Sequence, residues 1–337
     1  MSEPSWLFRV ASERQWGGGH VARCRALAEV MRAYRPVAFM LDEDDGGWSG
    51  ALTAAGFVVL PNGDVPSGPW CGSLIDGYGF GPEIGSRLAQ VASPLVAIDD
   101  LLSPPRQAAL VVNPGTDDAH YEAPSLLGSR FALIHSRFRD LPAPAVAGQV
   151  ERVLVSFGRY DTHDATGLVL SALSLLHRRE AFAPELSVVL GGASPNLAAI
   201  RTRLEDWDGK ARLIVDSDDM PGLIRSADLV LGAGGVSLYE RMACGVPSVT
   251  LVLADNQAAN VDLSARHGAT VNAGTIGSVS IDRLAESIFM LARSRQARMR
   301  QSQCGQAWAD GHGPSRVAEA MMRLVDAGAE QRSAAGQ

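Results

Sequence analysis

The sequence predicts an α/β protein built from two Rossmann-like, doubly wound domains with a cleft between them. Three observations carry this reading. Strand-like apolar runs alternate with helix-patterned runs along nearly the whole chain, the rhythm of parallel sheets covered by helices. A proline- and alanine-rich stretch without a periodic face, residues 139–148, interrupts that rhythm and reads as a linker. Each half also carries a glycine loop where a strand passes into a helix, the place where such sheets hold ligands.

In the first half, strands are expected at 7–10, 37–41, 58–60, 74–76, 95–98 and 110–112. Helices are clearest at 21–34, where Ala26, Leu27, Val30 and Met31 form an apolar stripe, and at 82–91. The second half repeats the alternation, with strands at 152–156, 186–190, 212–215, 229–231 and 248–251. Helices fit 165–177, 196–204, 221–226, 237–244 and 258–267, then 282–292 and 314–327 after the last strand. The resulting domains are 1–146 and 151–327, followed by a small, polar, frayed tail at 328–337.

Composition bounds the function. The 337 residues suffice for two cores, and 46% hydrophobic with 20% charged residues is the balance of a globular protein. A net charge of −7 argues against nucleic acid as the main partner but not against a small anion, which local loops bind. No apolar run is long enough to span a bilayer, so membrane insertion is not expected. The N-terminus lacks the basic region and apolar core of a signal peptide, and the expectation is a cytoplasmic protein. Cys24, Cys71, Cys244 and Cys304 are scattered without metal-binding spacing and read as reduced thiols. The sequence does not determine the oligomeric state.

Gly17-Gly18-Gly19-His20, running on to Arg23, follows the first strand and opens the first helix. Backbone N–H groups and the helix dipole converge at such a point, and glycines admit close approach of another molecule. A histidine there is placed to move protons near neutral pH. In the second half, Gly232-Ala233-Gly234-Gly235 ends a strand, and backbone N–H groups at the following helix start suit a diphosphate. Ser237 adds a hydroxyl, and Glu240, about one turn along, is placed to take both hydroxyls of a ribose. The bland alternative is a tight turn with Glu240 solvated. This glycine loop is the better diphosphate cradle, leaving the first loop to clear room for a sugar.

Other segments stay open between two readings. Asp255-Asn256-Gln257 ends a strand, and Asp255 or Asn256 is a natural helix N-cap. Asn256 and Gln257 are equally placed to meet a sugar or phosphate. The loop from Ser156 to Asp161 closes over a phosphate through Gly158 and Arg159, or else Asp161 caps the next helix. In the first half, Asp76 and the pair Asp99-Asp100 end strands, and Tyr78 lies between glycines, suited to touching substrate. No histidine or further acid joins these carboxylates at ligand spacing, so neither a metal nor a cofactor is expected.

Taken together, these segments resemble the UDP-2,4-diacetamido-2,4,6-trideoxy-β-L-altropyranose hydrolases of pseudaminic acid biosynthesis, a family of the GT-B group. The likeness runs through the Gly17–Arg23 stretch with Cys24, Asp76-Gly77-Tyr78-Gly79, Ile98-Asp99-Asp100-Leu101 and Phe131-Ala132-Leu133-Ile134 after Leu127-Gly128. It continues through residues 153–157, 227–240 and 255–257 in the same order. It implies that the first domain holds the sugar and the second UDP. It also implies that His20 positions or deprotonates water, that Tyr78 and Asn256 are the family's active-site tyrosine and asparagine, and that Glu240 binds ribose. Gly17, Gly19, Arg23, Asp76, Gly158, Gly234, Gly235, Ser237 and Gln257 complete the expected contacts with a UDP-sugar. The implied reaction is attack at the anomeric carbon with inversion and without metal, in a route serving flagellin and cell-surface glycosylation. The chain departs from the family at Arg159-Tyr160, in the 103–106 loop and at Asp255. The rival reading is a GT-B glycosyltransferase with a UDP-sugar donor and a hydroxyl acceptor.

Overall fold

The computed structural model describes residues 3–12, 18–41, 47–207 and 209–335, with side chains through residue 330. The chain divides into two compact units. One comprises residues 1–136 with 311–337, the other residues 137–310.

The first unit contains β1 (Ser5–Val10), α1 (Gly19–Met31), β2 (Val37–Leu41), α2 (Trp48–Ala54), β3 (Val58–Leu60), β4 (Trp70–Asp76), α3 (Pro82–Val91), β5 (Leu95–Ile98), β6 (Ala108–Asn113) and β7 (Ser125–Leu127). All seven strands are parallel, in the order β3-β2-β1-β4-β5-β6-β7. Successive side chains of β1 alternate between two apolar layers. Trp6, Phe8 and Val10 join the layer containing Leu27 and Met31 of α1, while Leu7 joins the layer containing Leu88 of α3. Burial on both faces explains why these strands read as continuous apolar runs.

The second unit contains β8 (Arg152–Ser156), α4 (Ala165–Glu180), β9 (Glu185–Leu190), α5 (Leu197–Glu205), β10 (Ala211–Val215), α6 (Met220–Ser226), β11 (Leu229–Ala233), α7 (Val236–Ala243), β12 (Ser248–Val252), α8 (Asp255–Arg266), β13 (Val271–Thr275), α9 (Ile281–Arg293) and α10 (Arg295–Trp308). Its six parallel strands run in the order β10-β9-β8-β11-β12-β13. Both sheets therefore reverse strand order once, between β1 and β4 and between β8 and β11. A ligand-binding crevice is expected at the carboxyl ends of those pairs.

The domain boundaries differ from those expected. A last helix, α11 (Gly313–Ala335), returns to the first unit, where Val317, Ala318 and Met321 are fully buried in the layer formed with α1. Three apolar residues on one helix face make that return favourable. Gly313 starts the helix against Ala132, where an added Cβ would lie 2.1 Å from the carbonyl oxygen. The helix also continues to Ala335, where a frayed tail was expected from residue 328.

Nor is the 139–148 stretch loose. Arg298 donates to the carbonyls of Ala147 and Gly148 at 2.8 and 3.0 Å, and Gln306 donates to that of Leu141 at 3.0 Å. These bonds attach the stretch to the second unit. The half-exposed edge strand β13 and the polar helix α10 carry weak apolar patterns and escape sequence reading. Among the described residues, no helix is long and apolar enough to cross a membrane. No group of three or more His, Cys, Asp or Glu side chains there is placed to hold a metal. All four cysteines are free thiols.

Candidate functional site

Register brings the polar residues of the first unit together. Val10 pairs with Asp76, and Asp76 with Ile98, so β1, β4 and β5 end at one level of the sheet edge. The α1 start, Asp76 and the Asp99-Asp100 pair all issue from that level. Gly18 caps α1 at φ +76°, and a Cβ there would lie 2.4 Å from the Trp48 ring, so this glycine serves both turn and packing. Gly19 is the first residue of α1. Gly17 lies outside the described residues.

His20 is 3% exposed, and its Nδ1 lies 2.7 Å from Asp76 Oδ1. Asp76 is fully buried and also accepts from Arg23 Nε at 2.7 Å and Arg23 Nη2 at 2.5 Å. Burial alone would raise this acid, but the Arg23 charge, with His20, outweighs burial and holds the carboxyl well below the usual range. An ionised Asp76 can only accept, so His20 Nδ1 is the donor of this bond. The 3.2 Å approach of Arg23 Nη2 to His20 Nδ1 is then two donors converging on Oδ1. This is a carboxylate-oriented imidazole, the arrangement of a general base.

The Arg23 guanidinium bridges Asp76 and Asp100, donating to Asp100 Oδ2 from Nη1 at 2.8 Å. Tyr78 donates its hydroxyl to the same Oδ2 at 2.6 Å, and its ring meets the His20 ring edge-to-face at 4.5 Å. Burial and the Asp100 charge push the Tyr78 phenol well above its ordinary range, so it stays protonated. Cys24, also buried, donates its thiol toward Asp76 Oδ2 at 3.2 Å, and burial with Asp76 keeps it a thiol. Asp100 is the member of this cluster that sequence reading left without a role. Nothing local reveals that it holds both Arg23 and Tyr78.

In the second unit the two candidate phosphate loops differ. At α4, Asp161 accepts from Ala165 N at 2.9 Å and Thr166 N at 3.0 Å, and Asp164 accepts from Gly167 N at 3.1 Å. Two carboxylates thus occupy that helix N-terminus, and Asp161 does cap it. Gly158 is an open turn at φ +92°, with nothing within 4 Å of an added Cβ. No side chain caps α7. The first N–H groups of a helix lack an i−4 partner; of those following Gly235, Leu238 N donates to the Gly235 carbonyl at 3.0 Å.

The glycines of the α7 loop have separate reasons. A Cβ on Gly232 would lie 2.8 Å from both Arg241 Nη1 and the Ser156 carbonyl oxygen. One on Gly234 would lie 2.2 Å from Val261. Gly235 is different: at φ −79° its nearest neighbour would be Gln257 Nε2 at 3.8 Å, so nothing in the protein requires a glycine there. The Gln257 carbonyl oxygen accepts from Gly234 N at 3.2 Å and Leu253 N at 3.0 Å, so it shapes the loop. Asn260, unnoticed in the sequence, donates to the Gly234 carbonyl at 2.9 Å. The N-cap of α8 is Ala254, without a side-chain cap, so neither Asp255 nor Asn256 caps it. Asn256 lies in the first turn of α8, and Glu240 in the middle of α7; both are partly exposed. Ser237, in the first turn of α7, accepts from Arg241 Nη1 at 3.1 Å and keeps its own hydroxyl proton to give.

No protein-family model matches the chain. The spore coat polysaccharide biosynthesis protein SpsG of Bacillus subtilis (strain 168) is 28% identical over 207 residues, covering 61% of this chain and 59% of that protein. The chain therefore matches about three-fifths of that relative's length. Among solved structures, MurG of Acinetobacter baumannii superposes with a TM-score of 0.67 at 14% identity, covering 95% of this chain and all of the other. The S. aureus MnaA–UDP co-structure gives 0.66 at 11% identity, covering 97% of each chain. The fold is GT-B. At these identities the superpositions establish architecture alone, two parallel-sheet Rossmann-like domains of seven and six strands.

Proposed function

We propose that this GT-B protein is an enzyme of nucleotide-sugar metabolism that hydrolyses a UDP-linked diacetamido-trideoxy sugar. The reading assigns the sugar to the first unit and UDP to the second. The observation that carries it is the buried His20–Asp76 pair, which holds the imidazole by Nδ1; on this reading Nε2 takes the proton. Water attacks the anomeric carbon and gives its proton to His20 Nε2. The bond from that carbon to the β-phosphate oxygen breaks, and UDP departs with the electron pair. A diphosphate is already a good leaving group, so base assistance, typically ~10²–10⁴-fold, with charge stabilisation by the uncapped α7 start, suits the step.

The resemblance in sequence and the relationship to a spore coat polysaccharide biosynthesis protein support a sugar-nucleotide substrate. Tyr78 and Asn256 take the family's active-site places, and Glu240 binds the ribose hydroxyls. The test is incubation with a panel of UDP-sugars in ¹⁸O-labelled water without an acceptor. Label in the released sugar is the expected result, since it reports attack at carbon. UDP release only when a hydroxyl acceptor is added would replace the hydrolase with the transferase, in which the same base deprotonates the acceptor. His20→Ala should retain UDP affinity and lose most turnover; unchanged turnover would remove His20 from the mechanism.

A further inference from the structure

Arg241 is 2% exposed, and among the described residues it forms no ion pair, although the charge of its chain neighbour Glu240 acts on it. Its hydrogen-bond partners are neutral: Ser237 Oγ at 3.1 Å, the Ala233 carbonyl at 2.9 Å and Thr250 Oγ1 at 3.0 Å. Its Nε, also buried, has no hydrogen-bond partner. A buried guanidinium without a direct ion-pair partner is strongly unfavourable, and evolution usually removes it or pairs it. Here its surroundings are arranged to retain it. Gly232 must lack a side chain because a Cβ there would sit 2.8 Å from Nη1, and the guanidinium grips the residues on either side of Gly234-Gly235.

We propose that Arg241 is a positioning residue for an anionic ligand, a buried cation beneath the Gly232–Ser237 loop whose ion-pair partner is the diphosphate of the nucleotide. This rests on reading that loop as the diphosphate seat. The charge acts through the loop: bonds to Ala233 and Ser237 fix its shape, and the cation adds attraction in a medium that screens little. Burial lowers the Arg241 pKa to about 10, which leaves it protonated at neutral pH. Arg298 is the contrast. It too is fully buried with an unpartnered Nε, but its terminal nitrogens donate to four backbone carbonyls, and its work is to hold the 147–148 stretch.

The experiment compares Kd for UDP, UMP and uridine in the wild-type protein, Arg241→Gln and Arg241→Lys. If Arg241 supplies charge, Arg241→Gln weakens UDP at least tenfold and UMP less, and changes uridine less than twofold. Arg241→Lys, which keeps the charge and loses the fork, stays within about threefold of the wild-type preference for UDP over uridine. Equal loss for UDP and uridine in Arg241→Gln, or no loss for UDP, overturns the proposal. Should Arg241→Gln not fold, Arg241→Lys decides alone, because a tenfold fall in its UDP preference means that loop shape matters and charge does not. Wild-type protein that binds no UDP refutes the nucleotide reading itself, a failure separable from the others.

Discussion

Replacing Asp76 with asparagine changes one oxygen to an NH₂ group at the centre of the first-unit cluster. The carboxylate receives four donors: His20 Nδ1, two Arg23 nitrogens and the Cys24 thiol. An asparagine satisfies them in neither orientation. With its oxygen toward His20, its NH₂ meets Arg23 Nε, which now lies 2.7 Å from Oδ2. With its NH₂ toward His20, Nδ1 must accept, and the ring proton moves to Nε2, where it blocks the base. The expected loss of turnover is ~10²–10⁴-fold, the usual worth of general-base help. That equals ~3–5 kcal/mol of barrier.

Stability should fall by about 3 kcal/mol, the low end for breaking a buried ion pair, because Asp100 still accepts from Arg23 Nη1. The sign of the pH dependence follows from the depressed Asp76 acid. Its contribution is fully present above the unfolded carboxylate value of ~3.9 and is lost as pH falls through the lower folded value, so Asp76→Asn should flatten the acid limb of the stability curve. The assay is UDP release across pH, with urea denaturation and UDP affinity as controls. Folded Asp76→Asn turning over within threefold of wild type would refute the orientation of His20 by Asp76.

Gly232→Ala should destabilise the second unit by ~1–3 kcal/mol in urea denaturation, because the added methyl meets the Ser156 backbone as well as Arg241. Gly235→Ala, with no neighbour closer than 3.8 Å, should leave stability unchanged while weakening UDP binding; unchanged UDP Kd would place the diphosphate elsewhere. Glu240→Ala should raise the Kd for UDP roughly tenfold, the order expected for losing charge-assisted hydrogen bonds. A fall in kcat with KM unchanged would contradict the ribose role. Met321→Ala should cost ~2–5 kcal/mol, since its fully buried side chain joins α11 to the first unit. Stability equal to wild type would mean that α11 is dispensable there.

The features legible in the sequence are those written in short-range pattern. Continuous apolar strands, the strand-to-helix glycine loops, His20 at the head of α1 and the α7 loop before Glu240 depend on residues a few positions apart, and local geometry follows from them. Long-range relations had no such signature. Asp76 lies 56 residues from His20, and Asp100 lies 77 from Arg23; only parallel register brings them to one sheet edge. The same holds for Gln257, whose carbonyl oxygen accepts from Gly234 N–H, and for the return of α11 to the first unit. Arg241 shows the physical reason most clearly. A sequence displays its charge, but whether that charge has a partner is decided by burial and by which groups the folded chain places around it.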